Sequence, residues 1–222
     1  MAILYEKELI MMLDNGNLLL YAITDRTWLK DGQTVSDIVE QAIVGGATIV
    51  QLREKTLNEW EFLSEALEVH RVCKAYGVPL IINDDVRVAK LSDAEGVHVG
   101  QNDMPVDQVK QILGKDKIVG VSARTVEQAL HSQRLGADYL GVGAVFSTTT
   151  KKDANRIPFE TLQAICNSVT IPVVAIGGIT KDNVVQLKGS NVDGIAVVSS
   201  IFAQPDVTTA TQELRRLAKG IV

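Results

Sequence analysis

Thr48–Lys55 reads TIVQLREK, and the rest of the chain is arranged around it. It opens as an apolar, β-branched strand, Thr48, Ile49 and Val50. It ends in Gln51, Arg53, Glu54 and Lys55, groups a buried strand does not carry without cause. Two cations within three residues at the carboxyl end of a strand suit an anion: arginine grips oxygens with a fork of donors, and lysine adds a movable point charge. The competing reading is a solvated strand end with an ion pair centred on Glu54.

Outward from this stretch the chain repeats one rhythm. Apolar runs at Leu18–Asp25, Thr48–Arg53, Pro79–Asp84, Gly96–Gly100, Ile118–Ala123, Tyr139–Phe146, Pro172–Ile179 and Gly194–Ser199 read as strands. Each precedes a helical pattern: Val35–Gly46, Asn58–Tyr76, Val86–Leu91, Val106–Leu113, Thr125–Leu135, Phe159–Val169, Asn183–Leu187 and Thr208–Lys219. In Asn58–Tyr76 the spacing points to an apolar face of Trp60, Leu63, Leu67, His70 and Cys73. Eight strand–helix units predict an α/β fold, a single (β/α)8 TIM barrel. An amphipathic helix over residues 3–15 precedes it, so residues 1–17 form an N-terminal helical extension and residues 18–222 the barrel. An open doubly wound sheet is the competitor, but Asp25-Arg26-Thr27 is not the glycine-rich first turn such a sheet uses.

The composition narrows the function. With 222 residues, 46% apolar residues and net charge −5, the chain supports a large core and argues against a nucleic-acid partner. Any basic cluster is local and suits a small anion. No stretch reads as a secretion signal or a membrane span. Cys73 and Cys166 lack metal spacing and read as reduced core thiols, so a cytoplasmic location is expected.

Barrel chemistry belongs at the carboxyl ends of the strands. There the sequence sets Gln51, Arg53 and Lys55; Asn83, Asp84 and Asp85; Gln101, Asn102 and Asp103; Ser122; and Ser147–Lys152. Strands three and four are neighbours roughly 5 Å apart, so Asp84 and Asp103 can face one point. Two carboxylates among oxygen donors, without a His or Cys cluster, suit Mg²⁺ better than zinc. Alternatively, Asp84 caps the next helix and Asp103 sits in a turn. Gly177-Gly178 and Ser199 fall at the two loops where barrels tend to bind phosphate. The loop Phe146–Asp153 reads either as a plain surface loop or as a lid whose threonines and Lys151 close over a phosphate. His70 reads as packed, His98 as a satisfied barrel residue and His131 as exposed.

Taken in order, the motifs TDR (Thr24–Arg26), QLREK (Gln51–Lys55), IIND (Ile81–Asp84), GVHVGQND (Gly96–Asp103), VGVSA (Val119–Ala123), TTTKKDA (Thr148–Ala154), AIGGI (Ala175–Ile179) and VVSSIF (Val197–Phe202) resemble the thiamine phosphate synthase family. The resemblance implies a transferase that joins hydroxymethylpyrimidine diphosphate to hydroxyethylthiazole phosphate and releases pyrophosphate. It implies Mg²⁺ on Asp84 and Asp103. The run Gln51, Leu52, Arg53, Glu54 and Lys55, with Asn83, would hold the pyrimidine diphosphate. Ser122 and Lys151 would meet the departing pyrophosphate, so Arg53, Lys55, Ser122 and Lys151 are the expected catalytic set. Thr148, Thr149, Thr150, Gly178, Val198 and Ser199 would hold the thiazole phosphate. The partners are small phosphorylated molecules; a homo-oligomer stays open.

Two positions depart from the family pattern: Arg124 where histidine is frequent, and Ser147 where proline is usual. The first can add a cation near the pyrophosphate; the second loosens the base of the lid. The rivals are an isomerase resembling the sister thiazole tautomerase, which would need a proton shuttle, and a non-catalytic phosphate-sensing barrel.

Overall fold

The computed structural model describes residues 16–148 and 156–222. The helix expected over residues 3–15, and the lid residues Thr149, Thr150 and Lys151, lie outside the described residues. Eight parallel strands, β1 (Leu20–Ile23), β2 (Ile49–Leu52), β3 (Leu80–Asn83), β4 (Gly96–Val99), β5 (Ile118–Ala123), β6 (Tyr139–Gly143), β7 (Val173–Ile176) and β8 (Gly194–Val197), form a closed barrel in chain order. Closure is made by β1 on β8, where Tyr21 pairs with Ala196.

Around the barrel run α1 (Val35–Gly45), α2 (Glu59–Ala75), α3 (Val86–Leu91), α4 (Val106–Leu113), α5 (Val126–Arg134), α6 (Phe159–Ser168), α7 (Ser199–Phe202) and α8 (Val207–Ala218). Capping boxes start two of them: Thr34 with Asp37, and Asn58 with Glu61. After β7 the expected helix is a 3-10 turn, Val184–Leu187. Four residues before Gly189 (φ 84°) close i→i+3 bonds more readily than full α turns.

Strand parity sorts the side chains into two cores. Leu20, Ala22, Val50, Leu52, Leu80, Ile82, Val97, Val119, Val121, Leu140 and Val142 point outward and pack under the helices. Tyr21, Ile23, Ile49, Ile81, Ile118, Tyr139, Val174 and Ala196 point inward and fill the barrel. Two residues further along, the inward positions of β2, β3 and β5 become polar or empty: Ile49 gives way to Gln51 and then Arg53, Ile81 to Asn83, and Ile118 to Gly120 and then Ser122, whereas Val174 leads to Ile176 and Ala196 to Val198. An apolar floor therefore carries a rim that is polar on the β2, β3 and β5 side and apolar at Ile176 and Val198.

The face expected for α2 is corrected. Phe62, Ala66, Val69 and Cys73 are its buried residues, whereas Trp60 is 71% and Leu67 49% exposed. Spacings of four, three and four keep the buried set on one stripe. Large apolar side chains elsewhere on the helix misled the phase.

Candidate active site

A cavity of about 680 Å³ opens at the carboxyl ends of the strands. Of the expected residues, Gln51, Arg53, Asn83, Ser122, Thr148, Gly178, Val198 and Ser199 line it together. They come from six strand ends far apart in sequence. Lys55, Asp84 and Asp103 are not among its lining residues. Lys55 Nζ donates to Asp84 Oδ2 at 2.6 Å.

Parity turns the side chains of Leu52 and Glu54 away. Leu52 is fully buried among the outer core residues. Glu54 has a side chain only 1% exposed and accepts from Arg26 Nε at 2.7 Å. Any contact these two make with a cavity ligand must come through their backbone. The ion pair centred on Glu54 thus exists, but its cation is Arg26 of the TDR motif. Arg53 is half-buried, its N–H donates to Thr24 Oγ1 at 2.9 Å, and no described carboxylate forms an ion pair with its guanidinium.

Arg26 also donates to both oxygens of Glu65, at 2.8 and 2.9 Å. The Glu54 hydrogen bond raises the Arg26 pKa further. Burial first, and then Glu54, push the Glu65 carboxyl up to about 7. Glu54 Oε1 is buried without a hydrogen-bond partner among the described residues. A proton on Glu65 can supply the missing donor. With a pKa above the ordinary 4.5, folded Glu65 holds a proton that the unfolded chain has released, between about pH 4.5 and 7. Its contribution to stability is present below that window and is lost as pH rises through it. Glu65→Gln keeps a donor without a titrating proton, so the stability difference from wild type should grow in the variant's favour from pH 5 to pH 8. Urea unfolding at each pH measures this; parallel curves would refute the shared proton.

At the mouth, the cap of α3 is Asp85, which accepts from Val88 N at 2.8 Å. That leaves Asp84 free of capping. Asp84 sits at φ 63°, and its N–H donates to His98 O at 2.9 Å. Asp103 does sit in a turn, where its Oδ2 accepts from Gly100 N at 2.7 Å. Both carboxylates therefore follow the paired ends of β3 and β4. Among the described residues no group of three or more His, Cys, Asp or Glu side chains could hold a metal ion.

Opposite β2, Gly177 (φ 98°) and Gly178 (φ 67°) bring the loop after β7 against the loop after β6. A Cβ on Gly178 would lie 2.3 Å from Ser147 O, so only glycine fits. Asn183 locks the turn, donating to Gly178 O and accepting from Thr180 N, both at 2.8 Å.

Arg124 lines the cavity beside Ser122, and its backbone N–H donates to Gln128 Oε1 at 2.8 Å. His70 is half-buried and pairs with Glu95 at 3.0 Å; the Glu95 hydrogen bond raises its pKa. His131 is exposed. His98 is satisfied, as expected, but it also lines the cavity and bonds Ser122. Tyr21 was not anticipated in the site. Its inward parity two residues before Ile23, with a hydroxyl that needs a partner, was the available signal.

The family described as thiamine monophosphate synthase matches residues 20–201. The chain is 52% identical over 195 residues to the thiamine-phosphate synthase of Clostridium tetani, covering 88% of this chain and 93% of that one. It is 51% identical over 195 residues to the thiamine-phosphate synthase of Ruminiclostridium cellulolyticum, covering 88% and 92%. The solved thiamine phosphate pyrophosphorylase of Pyrococcus furiosus superposes with a TM-score of 0.86 at 39% identity, covering 94% of this chain and 98% of that one. The matched span begins with β1 and ends in α7, so it takes in every strand that supplies the cavity, and the chain belongs to the thiamine monophosphate synthase family.

Proposed function

We propose that this transferase condenses 4-amino-2-methyl-5-hydroxymethylpyrimidine diphosphate with hydroxyethylthiazole phosphate to give thiamine phosphate and pyrophosphate. One observation carries this reading: a single cavity has on one wall Arg53, whose guanidinium forms no ion pair among the described residues, and on another a glycine-built turn at Gly177-Gly178. Two anion seats with amides and a hydroxyl between them suit two phosphorylated substrates. Gln51 and Asn83 offer amides to the pyrimidine. Arg53, with Lys151, holds the diphosphate, and Ser122 donates to it. Gly178, Val198, Ser199 and Thr148 hold the thiazole phosphate.

The bond that breaks joins the pyrimidine methylene to oxygen. Its electron pair leaves with the pyrophosphate, where Arg53, Lys151 and Ser122 stabilise the growing charge. The electron-rich ring stabilises the methylene cation, and the thiazole nitrogen then attacks it. The protein needs no strong nucleophile or base, and the cavity wall at position 124 offers an arginine where an isomerase would want a base.

Asp84 and Asp103 fit Mg²⁺. They are hard oxygen donors, and Asp84 already attracts a cation, the Lys55 ammonium at 2.6 Å. Mg²⁺ commonly takes only one or two carboxylates and completes its shell with water and substrate phosphate. When bound it would supply positive charge to the diphosphate. A cytoplasmic setting belongs to the same proposal. It agrees with two free cysteines and with the absence, among the described residues, of any helix long and apolar enough to cross a membrane.

The test is pyrophosphate release with each substrate alone and with both. Release is expected only with both, is abolished by EDTA and restored by Mg²⁺. A thiazole isomer formed without pyrophosphate would indicate the isomerase, and calorimetric binding without turnover the sensor. Undiminished turnover in excess EDTA would overturn the metal assignment.

A further inference from the structure

Beneath the cavity a continuous chain of hydrogen bonds crosses the barrel from β2 to β5. Gln51 Nε2 donates to the Tyr21 hydroxyl at 2.9 Å. The Tyr21 and Tyr139 hydroxyls lie 2.8 Å apart. The Tyr139 hydroxyl lies 3.0 Å from His98 Nδ1, and His98 Nε2 lies 3.0 Å from Ser122 Oγ. Both tyrosines are about 1% exposed or less, and burial holds both phenols protonated, well above their ordinary pKa.

The space for this chain is built into two glycines. A Cβ on Gly120 would lie 2.1 Å from the Tyr139 ring and 2.3 Å from its hydroxyl. A Cβ on Gly141 would meet His98 Cε1 at 3.0 Å. Both glycines hold inward positions where a side chain would otherwise fill the barrel.

The chain has one favourable direction. The Tyr21 oxygen receives Gln51, so its own proton needs an acceptor, and the Tyr139 oxygen is the neighbour that offers one. Tyr139 must then send its proton to His98 Nδ1. An accepting Nδ1 places the imidazole proton on Nε2, which donates to Ser122 Oγ. Ser122 consequently keeps its own proton for another partner. The opposite direction would leave the Tyr21 proton buried and unspent, which is costly.

We propose that Tyr21, Tyr139 and His98 form a polarised hydrogen-bond relay that holds Gln51 by its NH₂ group and obliges Ser122 to act as a donor into the cavity. Tyr139 is then a positioning residue: it lies outside the cavity lining and acts through His98 and Ser122. Resting on the proposed function, the acceptor for Ser122 is an oxygen of the departing pyrophosphate, and the donor is set before the charge develops.

The test is Tyr139→Phe, which removes one buried oxygen. Nitrogen-15 NMR of the His98 ring should show the Nε2–H tautomer in wild type and a shift away from it in the variant. The kcat for thiamine phosphate formation should fall about 10- to 100-fold, with KM for both substrates little changed. In a Ser122→Ala background the same substitution should cost no further turnover. A merely structural Tyr139 would lower the unfolding temperature while leaving tautomer and kcat alone. An Nδ1–H tautomer in wild type, or unchanged kcat in Tyr139→Phe, overturns the relay. If Tyr139→Phe does not fold, Tyr21→Phe carries the same readouts. If wild type forms no thiamine phosphate, the functional proposal fails alone, and the tautomer shift still decides the relay.

Discussion

Arg53→Ala should lower kcat for thiamine phosphate formation by roughly two to three orders of magnitude, the usual cost of removing one preorganised donor from a developing anion. The fold should not notice. The residue's N–H bond to Thr24 Oγ1 belongs to the backbone and survives the change. No described carboxylate forms an ion pair with the guanidinium, so removal strands no buried charge. The comparison is between steady-state turnover and the thermal midpoint of the same preparation. A turnover within threefold of wild type would remove Arg53 from the reaction.

Arg26→Ala should do the reverse. Arg26 is the cation for Glu54, whose side chain is 1% exposed, and it also bonds Glu65. Removing one partner of a buried pair commonly costs about 3–5 kcal/mol; with Arg26 itself 34% exposed, about 3 kcal/mol is the reasonable figure. For a domain of this size that lowers the midpoint by roughly 6–12 °C. The folded fraction should keep most of its turnover at low temperature. A variant as stable as wild type would show that Glu54 tolerates burial without its arginine. The Glu65 proton sharpens the test: acid pH should protect Arg26→Ala, because a protonated Glu65 still gives Glu54 a donor.

These two arginines mark where reading the chain stops being sufficient. Arg26 and Arg53 look equivalent in sequence: each follows a strand and stands near an acid. Their fates diverge because Arg53 is two residues beyond the inward Gln51, while Glu54 falls on the outward phase and meets Arg26 there. Lys55, two residues beyond Arg53, salts to Asp84 across β2 and β3. The helix α2 makes the same point. Its length and Asn58 cap were legible, but its buried stripe of Phe62, Ala66, Val69 and Cys73 depends on what the barrel presents beneath it.

Taken alone, the order of residues determined the eight-strand barrel, the strand ends that carry polar groups, and the family motifs. These are local properties: hydrophobic period, turn chemistry and spacing act within a dozen residues. Which polar groups meet depends on how the closed barrel brings distant strands together. Tyr21, His98, Tyr139 and Ser122 lie on β1, β4, β6 and β5, and their hydroxyls and ring nitrogens become partners once the sheet closes and Gly120 and Gly141 leave room. Closure joins strands more than a hundred positions apart, and a buried hydroxyl must then bond to whatever the barrel sets beside it.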